Sequence, residues 1–319
     1  MTPDHDRPPL MTESEDLTSI TAAPHPFRGR AGKASWAGAL RALALVATLA
    51  LTGCSPLDVL NATAPVSSTL AESGIAYGAQ ERQQLDVYRP AATPAGGAPV
   101  VLFFYGGRWS DGDRADYAFV GAALAEAGMV VVVADYRLYP QVRFPAFVED
   151  GARAFAWTHE HIERFGGDPA SIYLMGHSAG AHIASLLALD RRWLRDGRQP
   201  AGMIGLAGPY DFLPIEATDL RAIFGPPERF PESQPIEYVR GDAPPLYLLH
   251  GLDDDTVRPG NTRNLAQAIR ARGGRVETRF YESAGHAAII GAIAGVTDFL
   301  APVRADIVDF IERTTAERR

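Results

Sequence analysis

The chain has 319 residues, a formal net charge of −8 and 46% hydrophobic residues, enough to bury one sizeable core. The acidic balance argues against nucleic acid as a partner. The single cysteine, Cys54, excludes an intrachain disulfide and any cysteine-rich metal site.

Residues 1–27 are acidic and proline-rich, unlike the basic lead of a signal peptide, and a start codon placed downstream of them would account for this. Arg28, Arg30, Lys33 and Arg41 then form a basic lead to the apolar stretch Ala42 to Ala50, which is too short to span a bilayer comfortably. Leu51-Thr52-Gly53-Cys54 resembles the lipobox of bacterial lipoproteins. That resemblance implies cleavage before Cys54, lipid carried on it, and an exported protein anchored to the cell envelope. By the same resemblance, Ser55 implies the outer membrane in a Gram-negative cell. The expected organisation is an N-terminal extension and signal peptide over 1–53, a flexible tether over 54–73, small and polar in composition, and a folded domain over 74–319.

From Gly74 onward strands and helices alternate. Val100 to Phe104 is a buried-strand run that delivers Tyr105-Gly106-Gly107-Arg108-Trp109. Adjacent glycines at a strand end let backbone N–H groups approach a substrate oxygen, so this loop is a candidate oxyanion hole. Met129 to Ala134 is a second β-branched run. Phe147, Gly151, Phe155, Thr158 and Ile162 recur at helical spacing, and that helix stops at Gly166-Gly167-Asp168-Pro169.

Ser171 to Met175 is a strand, Ala181 to Leu189 a helix, and between them stands Gly176-His177-Ser178-Ala179-Gly180. A serine held between glycines on a strand-to-helix turn is a nucleophile elbow, and the helix N-terminus behind it favours negative charge. The pattern reads as a serine hydrolase. Gly107 and Arg108, with Ala179 just after the serine, are the expected oxyanion donors through their backbone N–H groups.

Met203 to Ala207 forms the next strand. Pro209 to Pro245, rich in proline and aromatics, reads as a short cap or lid insertion, with an ordinary surface loop as the alternative. Pro245 to Gly251 is a strand that ends in three aspartates, Asp253, Asp254 and Asp255, and composition does not choose among them. Asn261 to Arg272 is a helix, and Val276 to Phe280 a strand that leads to His286. A serine nucleophile needs an imidazole base and a carboxylate to orient it, in the order Ser, Asp or Glu, His. Of the eight histidines only His286 fits that order; His182, one turn beyond Ser178, reads as packing, and His250 precedes the acid candidates. Gly291 to Pro302, with Ile293, Val296, Phe299 and Leu300, reads as another wall of the site, with an ordinary surface loop as the alternative, and Asp306 to Arg313 closes the domain.

Gln84 to Pro90, Gly106 to Trp109 with Gly112-Asp113, Asp135 to Leu138 followed by Pro145, the elbow, His250-Gly251 with Asp254 and Val257, and Gly285-His286 together resemble an α/β-hydrolase of the bacterial feruloyl/acetyl esterase group. That group is close to the hormone-sensitive-lipase-like carboxylesterases and the arylformamidases. The resemblance covers Ile75 to Arg313 and selects Asp254 as the acid. It implies an α/β fold with a mostly parallel sheet and helices on both faces. It also implies a Ser178–Asp254–His286 triad acting on acetyl, feruloyl or short-chain esters, a small-molecule substrate, no cofactor and no metal. Two departures stand out. Tyr105 occupies the place of a family histidine that braces the oxyanion loop; it could brace through its hydroxyl or reshape the acyl side of the pocket. Arg108 is unusual beside such a loop and could bind an acidic group. The alternatives are an amide hydrolase of arylformamidase or peptidase type, and an inactive surface-binding lipoprotein on the same scaffold.

Overall fold

The computed structural model describes residues 55–194, 197–297 and 301–318. Eight strands form one sheet: β1 Leu70–Ala76, β2 Gln84–Tyr88, β3 Ala98–Phe104, β4 Val130–Ala134, β5 Gly167–His177, β6 Gly202–Leu206, β7 Leu246–Gly251 and β8 Val276–Tyr281. Their order is β1-β2-β4-β3-β5-β6-β7-β8. The β1–β2 and β2–β4 pairs are antiparallel and the remaining pairs parallel. The central strands are mostly apolar, and β4 and β6 are buried at every residue, as strands covered on both faces should be.

Register shows the two faces. Tyr173 lies beside Val101 in the sheet and its hydroxyl meets Thr314 on the helix Val303–Arg318. Phe104, of opposite parity, faces Gly151 on the helix Ala146–His161, where an added Cβ would also meet Ile183 and Leu187 of the helix Ala179–Leu189. Residues of opposite parity in neighbouring strands thus reach opposite helical layers. All eleven residues of Ala179–Leu189 are buried, so this helix has no solvent face and is apolar apart from His182 and Ser185. The architecture is the expected α/β-hydrolase one.

The folded body begins earlier than composition indicates. Residues 56–73 are not slack chain: Pro56–Thr63 and Val66–Thr69 are helical and β1 follows at once. Ser55 caps the first helix, its hydroxyl accepting from the Asp58 N–H while Asp58 accepts from the Ser55 N–H. Asn61 fastens that helix down, donating to the carbonyls of Ala115 and Asp116 and accepting from the Phe119 N–H. Cys54 and the signal-like segment lie outside the described residues. Among the described residues no helix is long and apolar enough to cross a membrane.

Between β6 and β7 the chain makes the excursion expected over 209–245, with a helix Thr218–Phe224 and 3₁₀ turns Pro227–Ser233 and Pro235–Tyr238. It is packed, not loose: Tyr210, Ile223, Phe224 and Phe230 are buried. After the helix His286–Gly291, Ile293 is wholly buried and belongs to the core, while Val296 is exposed. Phe299 and Leu300 lie outside the described residues.

Candidate active site

Ser178 sits between the end of β5 and the first turn of Ala179–Leu189 with φ 53° and ψ −121°, a left-handed conformation forced by the tight turn. Its N–H bonds the Leu206 carbonyl at 2.9 Å, fastening the turn to β6. The flanking glycines are steric requirements. A Cβ on Gly176 would stand 2.3 Å from the Gly180 backbone, and one on Gly180 would stand 2.0 Å from the Phe104 oxygen.

The three residues expected to act together are brought together. Ser178 Oγ lies 2.8 Å from His286 Nε2, and His286 Nδ1 lies 2.7 Å from Asp254 Oδ2. Of the three aspartates, Asp254 alone is buried while Asp253 and Asp255 are exposed. Its Oδ1 accepts the N–H groups of Thr256 at 3.0 Å and Val257 at 2.8 Å. Burial by itself would raise the Asp254 carboxyl. Donors from His250, His286 and the Val257 amide outweigh it and hold the group well below the usual carboxylate range.

Two more imidazoles support this row, and neither stands in the chain order that a base requires. His250 Nε2 donates to the Val257 carbonyl at 2.8 Å and stands 3.3 Å from Asp254 Oδ2, while its Nδ1 meets Thr262 Oγ1 at 2.8 Å. His177 Nε2 donates to the His286 carbonyl at 3.0 Å, its ring 4.8 Å from the His286 ring. Burial, reinforced by His286, pushes the His177 imidazole down to about 3, which keeps it a neutral donor. The signal for both was their place beside a strand end at the site, in Gly176-His177-Ser178 and His250-Gly251.

The loop after β3 lies against the serine: a Cβ on Gly106 would be 3.2 Å from Ser178 Cβ. Gly107 has φ 118°, and a Cβ there would stand 2.0 Å from the Asp111 oxygen. Arg108 and Trp109 follow with φ 55° and 58°. The Gly107 carbonyl turns back to accept the N–H groups of Ser110 and Asp111. Ala179 opens the elbow helix, and a helix's first N–H groups have no intrahelical partner.

Tyr105 points beneath this loop, away from the site. Its ring is wholly buried, stacked with Tyr117 and Tyr136. Its hydroxyl donates to Asp135 Oδ1 at 2.7 Å and accepts from Arg82 Nη2 at 2.7 Å. Arg114 completes the cluster, reaching Asp135 Oδ2 at 2.5 Å and Asp86 Oδ1 at 2.9 Å. Tyr105 therefore braces through its hydroxyl, and its ring forms no wall of the pocket. Arg108 points outward, to Asp219 on the helix Thr218–Phe224. His182 packs as expected: it is buried against Trp109, Phe212 and Phe224, and its Nε2 donates to the Ser233 carbonyl at 2.7 Å. Among the described residues no group of three or more His, Asp or Glu side chains is placed to hold a metal ion.

The chain is similar to several known proteins. The Arabidopsis thaliana protein described as probable isoprenylcysteine alpha-carbonyl methylesterase ICMEL2 is 31% identical, over 79% of this chain and 64% of its own length. Esterase LipC of Mycobacterium tuberculosis is 32% identical, over 62% of this chain and 54% of its own. The chain thus spans between about half and two thirds of these relatives. A solved structure of Thermogutta terrifontis esterase 2 phosphonylated by sarin has a TM-score of 0.59 and 26% identity, covering 68% of this chain and 85% of that one. A carbohydrate esterase from gut microbiota shares the fold at a TM-score of 0.67 and 19% identity, over 79% of this chain and 99% of that one. Residues 85–269, more than half of the chain, match the family model described as BD-FAE. The chain belongs to the BD-FAE family.

Proposed function

We propose that the protein is a serine hydrolase of carboxylic esters with small-molecule substrates, acting through Ser178, His286 and Asp254. The observation that carries this reading is the unbroken row of contacts from Ser178 Oγ through the His286 ring to Asp254. Ser178 Oγ attacks the ester carbonyl as His286 Nε2 takes its proton, and Asp254 holds the imidazole by Nδ1–H and stabilises the imidazolium. The carbonyl oxygen becomes an oxyanion held by the N–H groups of Gly107, Arg108 and Ala179, each such donor contributing on the order of 3 kcal/mol to transition-state stabilisation. The C–O bond to the alcohol then breaks, and His286 returns the proton to the departing oxygen. Water, deprotonated by His286, attacks the acyl-enzyme; the acid leaves and Ser178 regains its proton.

Relatives described as esterases support the ester reading over amide cleavage. The acyl group falls in the acetyl, feruloyl or short-chain range on the family resemblance. A fluorophosphonate probe together with p-nitrophenyl esters tests the reading. Labelling and turnover are expected in the native protein and absent in Ser178→Ala; absence of both in the native protein would leave the inactive binder.

We also infer that Cys54 carries lipid after export, on the strength of Leu51 to Cys54 alone. Metabolic labelling with an alkyne fatty acid, lost in Cys54→Ser, is the expected result.

A further inference from the structure

The feature that the hydrolytic scheme does not use is the Arg108 side chain. Its backbone belongs to the loop beside Ser178, yet its guanidinium turns to the cap, where Nε meets Asp219 Oδ2 at 2.5 Å and Nη2 meets Oδ1 at 3.1 Å. Two parallel donors on two carboxylate oxygens is the fork arrangement by which arginine recognises a carboxylate. Arg108 adopts it from a left-handed backbone, φ 55°, which costs a residue with a side chain roughly 1–2 kcal/mol and which glycine would adopt freely. An arginine at such a position, in the loop beside Ser178, points to a use for the side chain.

The present occupant of the fork is replaceable. Asp219 lies in the first turn of the seven-residue helix Thr218–Phe224. Both side chains are half exposed, at 50% and 52%. An ion pair in that setting contributes about 0–1 kcal/mol, so a carboxylate delivered by a bound ligand competes with Asp219 at small cost. The backbone at this position is close to Ser178, since a Cβ on Gly106 would stand 3.2 Å from Ser178 Cβ. Two residues of chain span at most about 7 Å, which bounds the distance of Arg108 Cα from Gly106 Cα.

We propose that Arg108 is the carboxylate subsite of this hydrolase, masked by Asp219 until an ester bearing a second, acidic group displaces it. The proposal rests on the esterase reading and names its substrate class: half-esters and other esters with a free carboxylate a few bonds from the scissile carbonyl. Asp219 then acts as a specificity-determining residue, lowering the preference for anionic over neutral esters by competing for the same fork.

The test is the ratio of kcat/KM for an anionic ester to that for its neutral isostere. One arm places the charge on the acyl side (p-nitrophenyl hemiglutarate against p-nitrophenyl pentanoate). The other places it on the alcohol side (4-carboxyphenyl acetate against phenyl acetate). Asp219→Asn is expected to raise the ratio about fivefold in one arm, through KM. Arg108→Gln lowers it below the native value, and the double variant matches Arg108→Gln. Arg108→Lys, which keeps the charge and loses the fork, falls between. Added salt reduces the native ratio. If Asp219→Asn changes both esters of each pair alike, the contact is only a strap between loop and cap and the proposal is overturned. It is overturned equally if Arg108→Gln keeps the native ratio in both arms. Hydrolysis of no ester at all by the native protein would sink the esterase reading itself, a result distinct from an unmoved ratio.

Discussion

His250 Nε2 stands 3.3 Å from Asp254 Oδ2, the same oxygen that His286 Nδ1 engages at 2.7 Å. One carboxylate oxygen thus faces two imidazoles, and His250 is fixed by Thr262 on one side and the Val257 carbonyl on the other. Removing a donor to an ionised carboxylate makes ionisation less favourable, so its pKa rises. Asp254 then draws the proton of the His286–Asp254 pair more strongly, so His250→Ala is expected to move the acid limb of the kcat/KM profile toward higher pH and to lower kcat with little change in KM. His250→Gln, which can still donate to Val257, recovers part of both effects. An unmoved acid limb in His250→Ala would show that His286 and the amides alone hold Asp254.

His182 links stability to pH. Burial pushes its imidazole from 6.5 down to about 4. The unfolded chain takes up the proton first as pH falls below about 6.5, so the folded state loses stability between about 6.5 and 4 and keeps it in full above that window. The loss reaches roughly 2–3 kcal/mol near pH 4.5. His182→Gln, compared with the native protein by urea melts at pH 7.5 and 4.5, is expected to flatten that slope whatever it does to absolute stability. An equal slope in both proteins would place the acid sensitivity elsewhere.

Tyr105→Phe separates support of the loop from shaping of the pocket. The change deletes a hydroxyl that bonds Asp135 and Arg82 within a buried cluster, at an expected cost of about 1–3 kcal/mol. Because the ring is enclosed by Tyr117 and Tyr136, the order of preference across acetyl, butyryl and longer acyl esters should stay the same. A reordered acyl profile would put the ring in contact with substrate.

Deleting residues 55–76 should do more than shorten a leader. It strips β1 from β2 and leaves an unpaired strand edge, together with the surface that Pro56–Thr63 covered. Aggregation in sedimentation runs is expected for a protein beginning at residue 77, and monodisperse behaviour for one beginning at residue 55. If both behave alike, β1 is dispensable to the sheet.

The central strands and the elbow were legible because apolar runs and a Gly-x-Ser-x-Gly turn are local signals. β1 was not, since its residues are almost all exposed and show no alternation to read. It is held by pairing with β2 and by Ser73 and Gly74 bonding Asp86. Asp254 could not be told from its neighbours by composition, because what distinguishes it is burial and two amide donors after folding. The support from His177 and His250 was hidden for a related reason: chain order identifies who reacts, while support depends on who touches whom. The Arg108–Asp219 pairing spans 111 positions in sequence, beyond any local pattern.

The fastening of Asn61 has a mechanical consequence. It grips the carbonyls of Ala115 and Asp116; Arg114, in that same turn, grips Asp135; and Asp135 grips Tyr105 beneath the loop at the nucleophile. A pull applied at Ser55 is therefore passed along this series of contacts to the loop after β3 instead of being spent on unwinding slack. Ser55 is thus a handle on the folded body, joined by that series of contacts to the loop beside Ser178.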